Sequence, residues 1–508
     1  MSRFILEKGN TNIPTSAYIE LENCFRRIAI LNEVIGLLHW DMSVMMPSGG
    51  AAARTEQLTV LKISVHEMLN DPKVGDLLSE AGETLPDEPW KAANLREMRR
   101  VWIHANAVER ELVEALSRAC SACELQWREA RLHSNFKSVL PYLSEVLNLT
   151  RQSGVSKAEV LGCSPYEALL DEYEPGAKTE LLDKYFADLS SFLPSFLQTV
   201  LAKQGKQKPG VLPPGPFPIE EQRALGVKLM EVLGFNFDHG RLDSSLHPFC
   251  GGVPDDIRVT TRYTDEDFTQ SLMGVLHETG HALYESGLPP DWGYQPVGAA
   301  RGMALHESQS LLIEMQACRS REFLSFAAPL MREAFSGSGL EWDVENLHRL
   351  YTKVEPGFIR VDADEVTYQA HVILRYRLER GLIKDDISLV DLPTAWNEGM
   401  SELLGICPPN DSLGCLQDIH WYDGAWGYFP TYTMGALAAA QFFSSATKDL
   451  PNISEAISEG KFSPLIDWMR RNVHSHASLF GTEELIKAAT GRPLDTADFK
   501  EHLLIRYG

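Results

Sequence analysis

Apolar residues recur every three or four positions along most of the chain, which is the spacing that places them on one face of an α-helix. The spacing predicts four amphipathic helices in the first part of the chain, at residues 17–40, 54–70, 90–131 and 178–203. It returns beyond residue 330. The sequence therefore predicts a mostly α fold, in which the third helix is long enough to span the whole molecule.

A Pro/Gly-rich segment interrupts the helical pattern. Residues 203–218 contain five prolines and three glycines, a composition that is typical of a loop or linker. We therefore expect an N-terminal helical region at 1–202 and a second helical region, which holds the candidate chemistry, at 219–508. The two regions could also form one continuous structural domain.

The clearest strand pattern lies at residues 256–263, where apolar and polar side chains alternate. This alternation predicts a half-buried strand. Such a strand could bind an extended peptide by adding main-chain hydrogen bonds to it.

The pentapeptide His-Glu-Thr-Gly-His at residues 277–281 is the most informative feature of the chain. In a helix with 3.6 residues per turn, His277 and His281 lie one turn apart on the same face, so both imidazoles can bind one ion. Glu278 lies beside them, where its carboxylate can accept a proton from a water that the metal activates. The motif predicts a catalytic Zn²⁺ site, although Co²⁺ or Mn²⁺ would also suit such ligands.

The residues around the motif predict where this helix begins and ends. Thr264 is suited to be the N-cap, because acidic residues and then apolar residues at helical spacing follow it. Gly287 and the pair Pro289 and Pro290 are expected to stop the helix.

A third metal ligand must come from another segment, because Glu285 lies too far along the same helix to reach the ion bound by the two histidines. Residues 298–317 are predicted to form a second helix, with His306 and Glu307 near its start. Glu307 is the expected ligand, and His306 is the rival. Glu314, two turns further on, is expected to be a solvated surface carboxylate rather than a ligand.

The composition and net charge of the chain bear on whether it binds nucleic acid. The 508 residues carry a net charge of −23, from 47 basic and 70 acidic residues. No run of lysine and arginine resembles a phosphate-binding stripe, so we expect no nucleic acid partner.

The chain has no features of a membrane or secreted protein. No stretch approaches 18 uninterrupted apolar residues, and residues 1–14 lack the long apolar core of a signal peptide. Eight scattered cysteines suit reduced thiols better than a disulfide framework, and Cys120 and Cys123 are expected to pack in a core. We therefore expect a cytoplasmic protein with no membrane partner.

Several short segments have compositions that a packed helix does not require. They are HPF at 247–249, DIRVT at 256–260, HESQ at 306–309, IRVDADE at 359–365, GCLQDIHW at 414–421 and GYFPTY at 427–432. Together with HETGH and with WDMSVMMPSGGAAARTEQ at 40–57, they resemble the carboxypeptidase Taq family of zinc metallocarboxypeptidases. The resemblance extends in order over nearly the whole chain.

The resemblance implies a large helical peptidase fold with a deep cleft, a zinc helix that carries HExxH and a small β-sheet beside the active site. It also implies a homodimer that removes single C-terminal residues with broad specificity. In this chain the metal ligands would be His277, His281 and Glu307, and Glu278 would be the general base. The small residue that usually follows the third ligand is Ser308 here.

Hydrolysis of a peptide bond also needs donors for the developing oxyanion, besides the metal. His420 and Tyr428 are the candidates, because both lie in an aromatic segment that we expect to form a wall of the cleft. Ordinary packing within an aromatic loop is the competing interpretation for each.

An exopeptidase must also bind the free carboxylate of its substrate, and the planar fork of arginine suits that task. Arg360 is the candidate by resemblance, and its competing interpretation is a buried ion pair with an acidic residue of 362–365. Arg258 is the second candidate, although its neighbour Asp256 suggests that it stiffens a strand. His247 precedes a proline and is expected to cap a turn.

These features together predict a zinc-dependent metallocarboxypeptidase that acts on peptides. One alternative is an oligopeptidase that cleaves internally in short peptides. Another is a non-catalytic peptide-binding scaffold with a vestigial metal site, which the intact set of ligands and base makes less favourable.

Overall fold

The computed structural model describes residues 16–83 and 88–508. The described chain is mostly helical, with one small three-stranded sheet, so the predicted fold class is confirmed. Residues 1–14, on which the prediction about a signal peptide rests, lie outside the described residues. None of the described helices combines the length and the apolar character needed to cross a membrane.

The helices and strands of the described chain have the following bounds. The helices that precede the sheet are α1 (Ala17–Val44), α2 (Ala51–Leu69), α3 (Pro72–Glu83), α4 (Pro89–Asn106), α5 (Arg110–Leu132), α6 (Phe136–Leu161), α7 (Pro165–Leu170), α8 (Thr179–Gln204) and α9 (Ile219–Leu233). The strands are β1 (Gly240–Ser244), β2 (Phe249–Val253) and β3 (Asp256–Thr261).

The helices that follow the sheet are α10 (Thr269–Glu285), α11 (Met303–Leu311), α12 (Arg321–Ala334), α13 (Val344–Tyr351), α14 (Tyr368–Lys384), α15 (Leu392–Leu404), α16 (Pro430–Asp449), α17 (Ile453–Ser458), α18 (Ser463–Asn472), α19 (Thr482–Thr490) and α20 (Ala497–Tyr507). A π-helical segment, Leu312–Cys318, continues α11. Short 3-10 turns lie at Ser48–Gly50, Pro290–Trp292, Pro296–Gly298, Leu340–Trp342, Arg360–Asp362, Leu389–Asp391 and His474–His476.

The predicted helices at 17–40, 54–70 and 178–203 are confirmed as α1, α2 and α8, but the long helix predicted at 90–131 is wrong. That segment forms two helices, α4 and α5, although no glycine or proline marks the break. The Asn106 side chain donates to the carbonyl oxygen of Leu69 at 3.1 Å, which ties the end of α4 to the end of α2. Because α4 packs in one core with α1 and α3 while α5 packs in the main core, the chain must turn between them.

The main hydrophobic core draws on helices from α5 to α20, and smaller cores lie under α1 to α4, under the sheet and around Tyr284. The Pro/Gly-rich segment predicted at 203–218 contains only the end of α8 and otherwise no helix or strand. Its Phe217 is fully buried in the main core, with ring contacts to Phe268 and Trp342. The division into two regions stays a prediction.

The strand predicted at 256–263 is confirmed as β3, which is the central strand of the sheet. β1 pairs with it in parallel and β2 pairs with it antiparallel, with Leu242 and Cys250 both opposite Val259. Because both edges of β3 are occupied, the expectation that it adds a peptide strand is wrong. β2 is an edge strand, and the sequence missed it because two of its five residues are glycine.

Helix α10, which carries the HETGH motif, begins four residues later than predicted, with Phe268 at the N-cap position. Thr264 is not its N-cap; its hydroxyl instead accepts from the amide of Asp267 in a turn that precedes the helix. The carboxylate of Asp267 then accepts from the amide of Thr269, which supplies the first turn with an acceptor. The helix ends at Glu285, before the predicted stop signals.

Two glycines allow the helices of the candidate site to approach one another closely. A Cβ atom at Gly280 of α10 would lie 2.5 Å from the carbonyl oxygen of Gln309 and 2.6 Å from the Cα of Ser310 in α11. A Cβ atom at Gly435 of α16 would lie 2.7 Å from the Cβ of Glu307. Only a residue without a side chain fits at either contact, so α11 is held between α10 and α16.

The cysteines are unpaired, and all eight lie in the described part of the chain. Cys123 of α5 is buried in the main core, and Cys120 packs against that core. Burial raises the pKa of the Cys123 thiol to about 12. Both residues therefore pack in a core, as the sequence predicts.

We expect Gly280→Ala to lower the free energy of unfolding by about 1–3 kcal/mol, because the added methyl group meets backbone atoms that cannot move aside. The matched control is Gly274→Ala in the same helix, where the nearest atom, Thr261 Oγ1, lies 3.6 Å away. The control substitution should raise the free energy of unfolding by up to about 1 kcal/mol, because alanine has a higher helix propensity than glycine. Denaturant unfolding measures both, and equal effects of the two substitutions would contradict the packing argument.

Candidate active site

The structure brings His277 and His281 of α10 next to Glu307 of α11. The Oε2 atom of Glu307 lies 4.0 Å from Nε2 of His277 and 3.8 Å from Nε2 of His281. Ligand atoms from all three residues lie within 4.8 Å of one another, and this is the one such group among the described residues. A tetrahedral ion with bonds of about 2.1 Å holds its ligands about 3.4 Å apart, so small side-chain rotations would close this group around a metal.

His277 is oriented by a carboxylate behind it. Its Nδ1 donates to Oε2 of Glu314 at 2.9 Å, and Oε1 of Glu314 accepts from Arg319 at 2.6 Å. The hydrogen on Nδ1 leaves Nε2 of His277 facing Glu307 with a free lone pair, as a metal ligand requires.

Glu314 is buried, so its expected role as a solvated surface carboxylate is wrong. Burial alone would raise its pKa, but the charge of Arg319 and the hydrogen bond from His277 lower it below the usual range. The sequence contained the signal, because Glu314 lies seven residues, or about two turns, after Glu307 and therefore on the same face.

His281 is oriented by a different chain of hydrogen bonds. Nε2 of His306 lies 2.8 Å from Oε1 of Glu285 and donates to it, which leaves Nδ1 of His306 as the acceptor in the tautomer that carries one hydrogen. That Nδ1 lies 2.7 Å from Nδ1 of His281, which is the donor in this tautomer. A hydrogen on Nδ1 leaves Nε2 of His281 free, and His306, the rival ligand, is not among the three residues of the candidate metal group.

Glu278 is buried on the cavity side of α10, next to the two histidines. Burial raises the pKa of its carboxyl to about 7, and the charge of Glu307 adds to this rise. A carboxyl with a pKa near neutrality can both accept and return a proton at physiological pH.

A cavity of about 700 Å³ lies in front of these residues. Its lining includes Glu278, Glu307, Met303, Arg360, Tyr368, Tyr428 and Tyr432, and the edge strand β2 contributes Phe249 and Cys250. The candidate metal ligands, a carboxyl, three phenols and a guanidinium thus face one volume, which is large enough for the end of a peptide.

Arg360 lies on a 3-10 turn and is almost fully buried, with its guanidinium on the cavity wall. The ion pair expected with an acidic residue of 362–365 is wrong, because its partner is Asp418. Arg360 Nη2 lies 2.8 Å and Nε 3.2 Å from Oδ1 of Asp418. Its Nη1 donates to the hydroxyl of Tyr368 at 2.7 Å. The sequence reasoning missed Asp418 and Tyr368.

Arg258 does not line the cavity. It binds the carboxylate of Asp256 with two hydrogen bonds of 2.6 Å and stacks over the ring of Trp40 at 4.4 Å. Its position on β3 matches the interpretation in which it stiffens the strand. His247 is exposed in the turn between β1 and β2, and its carbonyl oxygen accepts from Ser245 at 2.5 Å.

Tyr428 lines the cavity, whereas His420 lies behind the tyrosines and is absent from the lining. Nε2 of His420 lies 3.4 Å from the hydroxyl of Tyr432, which does line the cavity. Burial lowers the pKa of His420 to about 4. The loop that carries these residues is anchored by Glu379 of α14, which accepts hydrogen bonds from Trp421 at 2.9 Å and from a loop amide.

Comparisons with known proteins extend over almost the whole chain. The family model described as "Carboxypeptidase Taq (M32) metallopeptidase" matches residues 20–507. The chain is 38% identical to thermostable carboxypeptidase 1 of Thermus thermophilus, over 97% of this chain and 99% of that protein. It is 32% identical to carboxypeptidase 1 of Bacillus subtilis, over 96% of this chain and 97% of that protein.

Solved structures are similar over the same length. Metallocarboxypeptidase 1 of Trypanosoma cruzi matches with a TM-score of 0.95 and 40% identity, over 97% of this chain and 99% of that one. The M32 carboxypeptidase of Deinococcus radiodurans matches with a TM-score of 0.92 and 32% identity, over 97% and 99% respectively.

We expect Glu314→Gln to weaken Zn²⁺ binding about 10- to 100-fold, because the amide is a poorer acceptor for the Nδ1 hydrogen of His277. Competition with a chelator of known affinity measures the change. The control is Glu333→Gln at an exposed position on α12, which should leave the affinity unchanged. Equal affinities of the wild-type and Glu314→Gln proteins would contradict the orienting role.

Proposed function

Since the chain belongs to the carboxypeptidase Taq (M32) family of metallopeptidases, we propose that it removes single residues from the C-termini of peptides with broad specificity. The family resemblance drawn from the sequence is confirmed, and membership makes the chain a peptidase. The observation that best supports the finer proposal is a buried guanidinium, Arg360, on the same cavity wall as a His-His-Glu group.

The resident metal is proposed to be Zn²⁺, held by His277, His281 and Glu307. Two imidazoles and one carboxylate are the ligand set of many catalytic zinc sites, and Co²⁺ or Mn²⁺ are compatible with the same atoms. The Nδ1 atom of each histidine already has a hydrogen-bond partner, which is the arrangement that frees both Nε2 atoms. When bound, such a metal supplies Lewis acidity that activates water and polarises the scissile carbonyl.

The proton steps are assigned to Glu278. Its carboxylate accepts a proton from the attacking water and then passes it to the amine of the leaving residue. The raised pKa of this buried carboxyl suits both steps. Tyr428 is the candidate donor for the developing oxyanion, because its phenol lines the cavity. His420 lies behind the lining, so its proposed part in this step is to position the cavity residue Tyr432, whose hydroxyl it contacts.

The substrate carboxylate is assigned to Arg360. Its guanidinium donates to Asp418 and Tyr368 through three nitrogens, which fixes its plane and leaves further N–H groups for a ligand. Because the side chain is buried, its charge acts through a medium of low dielectric constant and attracts a carboxylate more strongly than a surface arginine does. Apolar lining residues such as Met303 and Met315 support acceptance of varied C-terminal side chains.

The alternative function is an oligopeptidase that cleaves internally. The edge strand β2 borders the cavity, and no described strand pairs with its outer edge, where an extended peptide could add a strand. The carboxypeptidase is favoured because a peptidase that cleaves internally does not require a buried cation such as Arg360 in the same cavity as the metal group. A non-catalytic scaffold is the least favoured, since ligands, base and cation are all present.

A homodimer is proposed as the assembly, as the family resemblance implies. Ile30, Val34 and Leu37 are each 40% exposed and lie on one face of α1, which gives an apolar surface suited to a second copy. A species with the mass of one chain in sedimentation velocity at micromolar concentration would contradict it. The proposed location is the cytoplasm, in keeping with eight unpaired cysteines, and no nucleic acid or membrane partner is proposed.

We expect Glu278→Gln to lower kcat about 10²- to 10⁴-fold, because the amide cannot accept the proton of the attacking water. Zn²⁺ content should stay at one ion per chain, since Glu278 is not a proposed ligand. Hydrolysis of a short peptide, followed by mass spectrometry with and without a chelator, measures the effect. Full activity of a metal-loaded Glu278→Gln protein would exclude the proposed mechanism.

We expect amidation of the C-terminus of a peptide to lower kcat/KM about 10- to 100-fold, which is the contribution of a charge-assisted hydrogen bond to binding. Arg360→Gln should remove this preference for the free acid. Arg258→Gln is the control and should keep it, because Arg258 binds Asp256 away from the cavity. Equal cleavage of acid and amide by the wild-type protein, with internal fragments as products, would identify an oligopeptidase.

A further inference from the structure

A second arginine lies behind Arg360 and shares its carboxylate partner. Oδ2 of Asp418 accepts from Nε of Arg375 at 2.6 Å, while Oδ1 of Asp418 accepts from Arg360. One carboxylate thus bridges two guanidinium groups, with one oxygen for each. Arg375 is fully buried and reaches Asp418 from α14, where its Nη1 also donates to the carbonyl oxygen of His371.

The charges of this cluster do not cancel. Arg360 and Arg375 carry two positive charges, and Asp418 carries one negative charge. Burial lowers the pKa of His371 to about 3 and of His420 to about 4, with the two arginines adding to the effect, so neither ring contributes a charge at neutral pH. Within this cluster one buried positive charge is therefore left over, and the only further carboxylate named in this cavity whose charge acts on Arg360 is that of the candidate metal ligand Glu307.

The surplus charge is accessible only at Arg360. Arg360 lines the cavity, whereas Arg375 does not and instead stacks over the ring of Trp396 at 4.5 Å. A buried charge without a counterion is costly, and the cost is relieved when an anion binds. Of the two ends of a peptide, only the C-terminal carboxylate provides that anion.

We propose that Arg375 is a positioning residue for C-terminal recognition: by occupying one oxygen of Asp418, it prevents that carboxylate from neutralising Arg360. Without Arg375, Asp418 is free to turn both oxygens towards the Arg360 fork and to form a closed neutral pair. Arg360 then has less attraction for a substrate. This inference rests on the proposed function, because it explains how the same site selects a free carboxylate.

The test compares kcat/KM for a peptide acid and its amide in the metal-loaded enzyme. Arg375→Met should lower the acid-over-amide preference at least 5-fold, through a higher KM for the acid with kcat within about 3-fold of wild type. Arg375→Lys keeps the charge and should keep most of the preference. In the double variant Arg375→Met with Asp418→Asn, the net charge is again one, so the preference should recover at least half of the lost factor.

A purely structural role of Arg375 predicts a different pattern. Both Met-containing variants would then lose activity on the acid and the amide alike, and the double variant would be the worse of the two. That outcome, or an unchanged preference in a folded Arg375→Met protein, would overturn the inference. If Arg375→Met does not fold, Asp418→Asn alone carries the test: a preference equal to or above that of wild type is expected, and a loss of 5-fold or more contradicts the charge argument.

Failure of the inference about Arg375 can be distinguished from failure of the proposed function. A wild-type enzyme that cleaves acid and amide equally would reject the carboxypeptidase itself. A wild-type enzyme with a strong preference for the acid, which Arg375→Met retains, would reject the role of Arg375 alone.

Discussion

The close contact between α10 and α11 is the constraint on which the rest of the site depends. Two histidines one turn apart offer only two ligands to an ion, and the third must come from another helix. Gly280 allows the backbone of α11 to lie against the face that carries the histidines, and Gly435 allows α16 to press against Glu307 from the other side. Backbone packing therefore brings the three candidate ligand residues together before any metal binds, and small side-chain rotations are enough to close the group.

Polar and charged side chains around this contact form chains of three hydrogen-bonded groups rather than isolated pairs. Glu314 lies between His277 and Arg319, His306 lies between His281 and Glu285, and Asp418 lies between two arginines. Each intermediate residue fixes the orientation of a group that faces the cavity. Such support holds a site in its working geometry without reorganisation when the substrate binds.

Elements of the fold and the site could be predicted from the sequence where the pattern that defines them lies within one short segment. The HETGH helix, three of the four early helices and β3 follow from periodicity within single segments. The break after Asn106 could not, because it depends on a contact with the end of another helix. Asp418 lies 58 positions from Arg360, so only the folded chain shows that they bind. Strand β2 carries two glycines and gives no strand pattern by itself, and the fold shows it paired with β3.

The most direct test of the account is the location of the metal. Crystals of the zinc-loaded protein, measured above and below the zinc absorption edge, should give one anomalous peak about 2.1 Å from Nε2 of His277, from Nε2 of His281 and from a carboxylate oxygen of Glu307. A peak bound elsewhere on the chain, or one beside the two imidazoles with Glu307 out of bonding range, would contradict it.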